Sequence, residues 1–254
     1  VTPYHKIEGY ATDNHFRALV MLNEMINVEA GVAEIGTLFG RFFCMLNHFS
    51  GNCSSFAIDL FEDQEKNIPP SGDGRKLTED KFITNLDYHD RYGGSNVRVI
   101  KGDSLSIRYD IIKTINEVGR VKFFSVDGGH DAVHATNDLH IAQNCITDGG
   151  VVIMDDFFNI RHPGPTQALL KYIENHQSLI PFFLLNETVF LCSFSFYRKY
   201  FNYVLRWSVV KDYRGGMRYV SEKEKSESFR KFDMNVFLTR VAGYDMVCYS
   251  NIKE

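Results

Sequence analysis

The segment Val126-Asp127-Gly128-Gly129-His130 and, further on, the pair Asp155-Asp156 at the end of an apolar run offer three carboxylates and an imidazole. Oxygen-rich clusters of this kind suit a hard divalent cation such as Mg²⁺. A neutral imidazole beside such an ion can take a proton from a substrate hydroxyl. Together they spell the transfer of a group onto oxygen. Two adjacent carboxylates repel each other, so a strand end is a poor place for both unless a cation or hydrogen-bond donors offset them. Taken alone, Asp156 could also cap the next turn, and a single histidine near a helix start is more often structural. The spacing of Asp127 and His130 favours the chemical reading, with His134, one turn along the same helix, as the reserve base.

These residues need elements to carry them. Apolar runs at Gly31 to Ile35, Ser55 to Leu60, Val97 to Ile100, Val121 to Val126 and Val151 to Met154 read as strands. Between them, Phe42 to Phe49, Glu79 to Tyr88, Ile107 to Val118 and Ala132 to Cys145 have helical spacing; Ala132, Ala135, Leu139 and Ala142 trace one face. Strand alternating with helix predicts a parallel, doubly wound sheet, because right-handed crossovers put each helix on a sheet face. Ligands in such sheets bind at the carboxyl ends of the strands, where every residue singled out here falls. Phe182 to Leu185 and Thr188 to Ser193, around the turn-like Asn186-Glu187, predict an antiparallel edge hairpin. Asp63 to Thr78, with Pro69, Pro70, Gly72 and Gly74, reads as a loop over the crevice.

The first strand runs into Glu34-Ile-Gly36-Thr37-Leu-Phe-Gly40, where glycines let a ligand approach the backbone and a helix start supplies amide donors. Asp59 ends the second strand, where a carboxylate can accept hydrogen bonds from ribose hydroxyls. Gly102-Asp103-Ser104 closes the third. The dinucleotide fingerprint does not fit, because Leu38 and Arg41 stand where its second and third glycines would be. A nicotinamide cofactor is disfavoured.

The Glu-x-Gly-x-x-x-Gly segment with an acid ending the second strand resembles class I S-adenosylmethionine-dependent methyltransferases. The chain is more closely similar to the family of macrocin-type sugar O-methyltransferases and cephalosporin-hydroxylase-like proteins. The likeness rests on Asp59-Leu-Phe-Glu-Asp-Gln64 with Asn67 and Ser71-Gly72, Val126 to His130 with Asn137-Asp138-Leu139, and Gly149 to Phe157 with Pro163-Gly164. It implies a Rossmann-like α/β fold with a mostly parallel seven-stranded sheet. It implies S-adenosylmethionine held by Glu34, Gly36, Thr37, Gly40, Asp59, Asp103, Ser104 and Asp127, with Asp103 and Ser104 at the adenine. It further implies a divalent ion, Mg²⁺ or a similar cation, on Asp127, Asp155 and Asp156, with His130 as base. Leu38 departs from the family pattern, so the carboxylate end of the cofactor would be held differently.

Composition sets the bounds. The 254 residues, 44% hydrophobic and 24% charged, suit one large folded domain, read as a methyltransferase domain over 1–194 with an extension over 195–254. The net charge of −4 argues against a strongly basic nucleic-acid binder. Five scattered cysteines lack metal or disulfide spacing and read as reduced thiols in a cytoplasmic protein. No apolar run is long enough for a membrane span, so no membrane partner is expected. From Ser195 to Phe232, ten Lys or Arg face four acids among interleaved aromatics. Such a tail suits a lid over an anionic substrate or a homo-oligomer interface better than nucleic acid. The expected partner is a small-molecule hydroxyl acceptor, sugar-bearing or polyhydroxylated. The rival readings are a hydroxylase-like enzyme on the same scaffold and a non-catalytic cofactor-binding protein with an RNA- or protein-binding tail.

Overall fold

A computed structural model describes residues 3–63, 65, 76–176, 178–207 and 235–250. The loop residues 66–75, with Asn67, Pro69, Pro70 and Ser71-Gly72, and the tail stretch 208–234 lie outside the described residues, as does Gln64.

Five strands form the parallel part of the sheet: β1 (Gly31–Ile35), β2 (Ser55–Asp59), β3 (Val97–Lys101), β4 (Val121–Val126) and β5 (Ile146–Met154). After them β6 (Leu179–Leu185) and β7 (Thr188–Ser193) make the hairpin, with β7 antiparallel to β5. The sheet order is β3-β2-β1-β4-β5-β7-β6, extended at the far edge by β9 (Tyr244–Ser250) and β8 (Asn235–Val241). Nine described strands thus replace the seven expected. The added pair comes from the C-terminal stretch read as an extension, with β9 pairing in parallel with β6.

The helices are α1 (Asp13–Met25), α2 (Arg41–Asn47), α3 (Glu79–His89), α4 (Arg108–Val118), α5 (Ala132–Cys145), α6 (Pro163–His176) and α7 (Phe194–Trp207). Side chains alternate along each strand, so the central strands are buried on both faces. Val32, Phe123, Val151 and Ile153 pack with α1, α2 and α7; Ala33, Phe124, Val152 and Met154 pack with α4, α5 and α6. On α7, Tyr200 and Val204 are buried in the first of these cores, and the Tyr200 hydroxyl donates to the Gly149 carbonyl. The aromatic spacing of the described tail is therefore packing against the sheet. None of the helices among the described residues is long and apolar enough to cross a membrane.

The chain leaves β1 toward β2 and β3 on one side and reaches β4 and β5 on the other, so the strand order reverses between β1 and β4. The loops leaving the carboxyl ends of these two strands flank the crevice such a reversal opens. Backbone strain gathers there too. Leu38, Phe61, Asp156, Phe158 and Asn186, all just beyond the carboxyl ends of β1, β2, β5 and β6, take positive φ without being glycine. Such conformations cost roughly 1–3 kcal/mol each and persist where the surroundings impose them.

Candidate active site

The β1 and β4 loops meet at Gly36. Its amide donates to the Ile58 carbonyl at 2.9 Å and its φ is +87°. A Cβ there would lie 1.8 Å from the Asp127 carbonyl oxygen, so only glycine lets the two backbones touch. Leu38, where the resembled pattern has a second glycine, adopts φ +49° and keeps the left-handed turn with a side chain attached.

Asp59 builds this region from within. One of its oxygens accepts from the Leu38 amide (2.9 Å) and the Thr37 hydroxyl (3.4 Å), the other from the Phe61 amide (2.8 Å). It ties the β1 loop to the β2 loop. Asp103 likewise closes its own turn, accepting from the Leu105 amide at 3.0 Å and the Ser106 hydroxyl at 2.7 Å. Ser104 is buried and hydrogen-bonds Asp138, whose carboxyl burial raises to about 6. His134, the reserve base, is held between carboxylates: its Nδ1 contacts Asp131, the N-cap of α5, and its Nε2 lies 3.7 Å from Asp103. It joins the β3 loop to the start of α5.

A cavity of about 690 Å³ opens at the carboxyl ends of β1, β4 and β5. Glu34, Gly36, Thr37, Ser125, Asp127 and Asp155 form its floor; the N-terminal segment from Glu8 to Thr12, with His15, covers one side. Arg41 pins that segment by donating to the carbonyls of Tyr4, His5, Gly9 and Ala11. Asp59, Asp103, Ser104, Gly40, His130 and Asp156 stand outside the wall of this cavity.

The floor is crowded with acids. Burial raises the Glu34 carboxyl well above the usual range, opposed by its hydrogen bond to Ser125, and its Oε2 has no hydrogen-bond partner. Asp127 is also raised well above it, by burial first and then by the charges of Asp155, Glu34, Asp156 and Asp59. Burial pushes Asp155 up to about 6 against the Thr188 hydrogen bond. Carboxyls that raise one another in this way gain from a cationic occupant.

Asp155 and Asp156 part company. Asp155 faces the cavity, whereas Asp156, at φ +58°, turns toward α5. There its Oδ2 lies 3.1 Å from His130 Nε2, and its Oδ1 accepts from Asn159 Nδ2 at 2.6 Å. The His162 ring stacks on that of His130 at 4.2 Å. Among the described residues, His130, Asp156 and His162 form a group whose ligand atoms all lie within 4.8 Å of one another; Asp127 and Asp155 do not belong to it.

Three groups escape a reading of the sequence. His15 is half-buried, and desolvation lowers its imidazole to about 4, so it is neutral at neutral pH. The Thr12 amide donates to its Nδ1 at 3.0 Å, which leaves Nε2–H to donate to Thr188 Oγ1 at 3.2 Å. The Thr188 hydroxyl then donates to Asp155 Oδ1 at 2.6 Å. A directed chain from α1 through β7 thus fixes a carboxylate on the cavity floor. Nothing local marks His15, which is 173 residues from Thr188. Arg41 and His162 carry signals only in hindsight: a basic residue opening α2, and a histidine just before Pro163.

Replacing Thr188 with valine strips Asp155 Oδ1 and His15 Nε2 of this partner while keeping the shape. It is expected to cost about 1–3 kcal/mol, read as a lower urea midpoint, with Thr188→Ser restoring most of the loss. An unchanged midpoint for the valine variant would remove the chain from the account.

Residues 33–157 match a family model described as a methyltransferase domain. The chain carries a methyltransferase domain. Its fold is shared with solved structures of the O-methyltransferase NovP (16% identity, TM-score 0.51, covering 70% of this chain and 79% of NovP) and the calicheamicin methyltransferase CalS11 (16%, 0.52, 71% and 79%). It is shared also with cofactor-bound Rv0187 from MTB (16%, 0.51, 68% and 72%). At such identities the likeness is one of fold. No curated protein matches the sequence. Within the methyltransferase domain lie the β1 loop, Asp59, Asp103, the Asp127 floor, His130 and the acid pair; its covering segment, Thr188 and His162 come from outside the matched stretch.

Proposed function

We propose that the chain transfers a methyl group from S-adenosylmethionine to a hydroxyl of a small molecule, sugar-bearing or polyhydroxylated, with the help of a divalent cation. The observation that carries this reading is the acid-floored cavity at the β1/β4 reversal of a methyltransferase domain. The cavity volume is in the range of small-molecule sites. The unpartnered Glu34 Oε2 and the mutually raised carboxyls fit a cofactor bearing an ammonium and a sulfonium, and equally a metal ion. Asp127 and Asp155 on the floor would hold the ion through oxygen, the donor set a hard cation prefers, while Asp156 is turned away to His130 and Asn159. When bound, the cofactor supplies the electrophilic methyl and the ion supplies acidity to the acceptor hydroxyl.

The chain's own part is to orient and to move a proton. Glu34 and Gly36 would anchor the cofactor's amino-acid end at the floor, and Thr12, His15 and Thr188 hold Asp155 in place. His130 accepts the acceptor's proton. Burial holds its imidazole below the ordinary value of 6.5, outweighing the Asp156 charge that acts the other way, so the ring is neutral and able to accept at neutral pH. Activity should therefore survive moderate acidification, with the acidic limb of kcat/KM falling below pH 6.5. A limb above pH 7 would point to another base.

The test of the reaction is product mass. Incubation with S-adenosylmethionine, Mg²⁺ and a panel of glycosides and polyols should yield products heavier by one CH₂ together with S-adenosylhomocysteine. Products heavier by one oxygen would move the chain to the hydroxylase-like alternative.

A further inference from the structure

The turn that follows β5 brings a second histidine onto the first. Asp156 Oδ1 is held by Asn159, whose own side-chain oxygen accepts from the Arg161 amide at 2.9 Å, and the His162 amide donates to the Asn159 carbonyl at 3.1 Å. The chain therefore folds back within seven residues, from Asp156 to His162. The start of α6 is pressed against the start of α5: a Cβ on Gly164 would stand 2.4 Å from the His130 carbonyl and 2.7 Å from the Ala132 amide nitrogen. Backbone contact thus sets the spacing of the two imidazoles. Asp156 keeps Oδ2 directed at His130, and the His130 side chain retains 29% exposure, which leaves a side open to water.

We propose that His130, His162 and Asp156 form a two-histidine, one-carboxylate site for a divalent transition metal ion such as Zn²⁺ or Co²⁺. Imidazole nitrogen suits these borderline ions, whereas Mg²⁺ prefers an all-oxygen shell. Donors around a tetrahedral zinc ion at 2.0–2.1 Å are about 3.3 Å apart. The ligand atoms here already lie within 4.8 Å of one another, so small side-chain rotations close the set. The Asn159 hydrogen bond to the far oxygen of Asp156 is the kind of outer support that orients a ligating carboxylate. Water would fill the remaining position. This site goes beyond the methyl-transfer reading, and it would couple the two, because it places an ion on the imidazole that reading uses as base.

The experiment uses untagged full-length protein stripped of metal, with neither cofactor nor acceptor, so its outcome is independent of methyl transfer. Zn²⁺ is titrated calorimetrically and Co²⁺ by its visible absorption, against Mg²⁺ for comparison, in the wild type, His162→Ala and Asp156→Asn. The wild type should bind one equivalent of Co²⁺ with the strong d–d bands of a four-coordinate site. His162→Ala should weaken Zn²⁺ binding by at least about tenfold, leave unfolding of the metal-free protein cooperative, and abolish the rise in Tm that Zn²⁺ gives the wild type. Asp156→Asn, which keeps the shape, should lose binding similarly. Equal Zn²⁺ affinity in the wild type and His162→Ala, or no Co²⁺ spectrum in the wild type, overturns the proposal.

Discussion

His130→Gln is expected to lower turnover by about 10²- to 10⁴-fold and to leave the affinity for S-adenosylmethionine nearly unchanged. The reason for the split lies in placement. His130 stands outside the wall of the acid-floored cavity, so its loss removes a proton acceptor without touching the groups proposed to hold the cofactor. Nor should the fold suffer. Asp156 keeps its hydrogen bond to Asn159, and α5 keeps its cap, Asp131, which accepts from the amides of Val133 and His134. Single-turnover rates and cofactor titration on the same preparation check both halves. A parallel fall in rate and affinity would make His130 a structural residue.

Gly36→Ala should damage the protein itself. The added methyl would sit 1.8 Å from the Asp127 carbonyl oxygen and 2.9 Å from the Gly128 amide nitrogen, on a backbone at φ +87° that side chains rarely adopt. Both neighbours are backbone, tied into the sheet by the Asp127 amide donating to Ile35, and neither can rotate away. A loss of about 3–5 kcal/mol is expected, a fall in Tm on the order of 10 °C for a chain of this size. Gly51→Ala is the control, since its φ is also positive but nothing lies within 4 Å of the new atom. Similar Tm values for the two variants would mean that the β1 and β4 loops do not meet as described.

The central strands β1, β2 and β4 were legible because each is a short, largely apolar run buried throughout, and Asp59 and Asp127 fall where two of those runs stop. β5 shows where that signal fades: its first residues, Ile146-Thr147-Asp148-Gly149, are too polar to read as strand, yet they open it. α1 was not among the helices expected from the sequence, although its Ala18, Leu19, Leu22 and Met25 stand at helical spacing. On α7 composition masked the pattern, since Tyr200 and Val204, four apart and buried, sit among the bases and aromatics that suggested a lid or a subunit interface. The pairing of β9 with β6 and the His15–Thr188–Asp155 chain depend on contacts between distant segments, for which no local spacing exists. Within the site, residue type was easier to read than direction. Asp59 ties the β1 loop to its own, Asp103 closes its own turn, and the neighbours Asp155 and Asp156 diverge because Asp156 takes a left-handed backbone.

The central claim is that the acid-floored cavity accepts S-adenosylmethionine beside a divalent ion. Isothermal titration calorimetry with S-adenosylmethionine and S-adenosylhomocysteine, each with and without Mg²⁺, tests it most directly. The account predicts micromolar binding of either ligand, lost in Glu34→Gln. No binding of either ligand under any of these conditions would contradict it and favour a scaffold role for the chain.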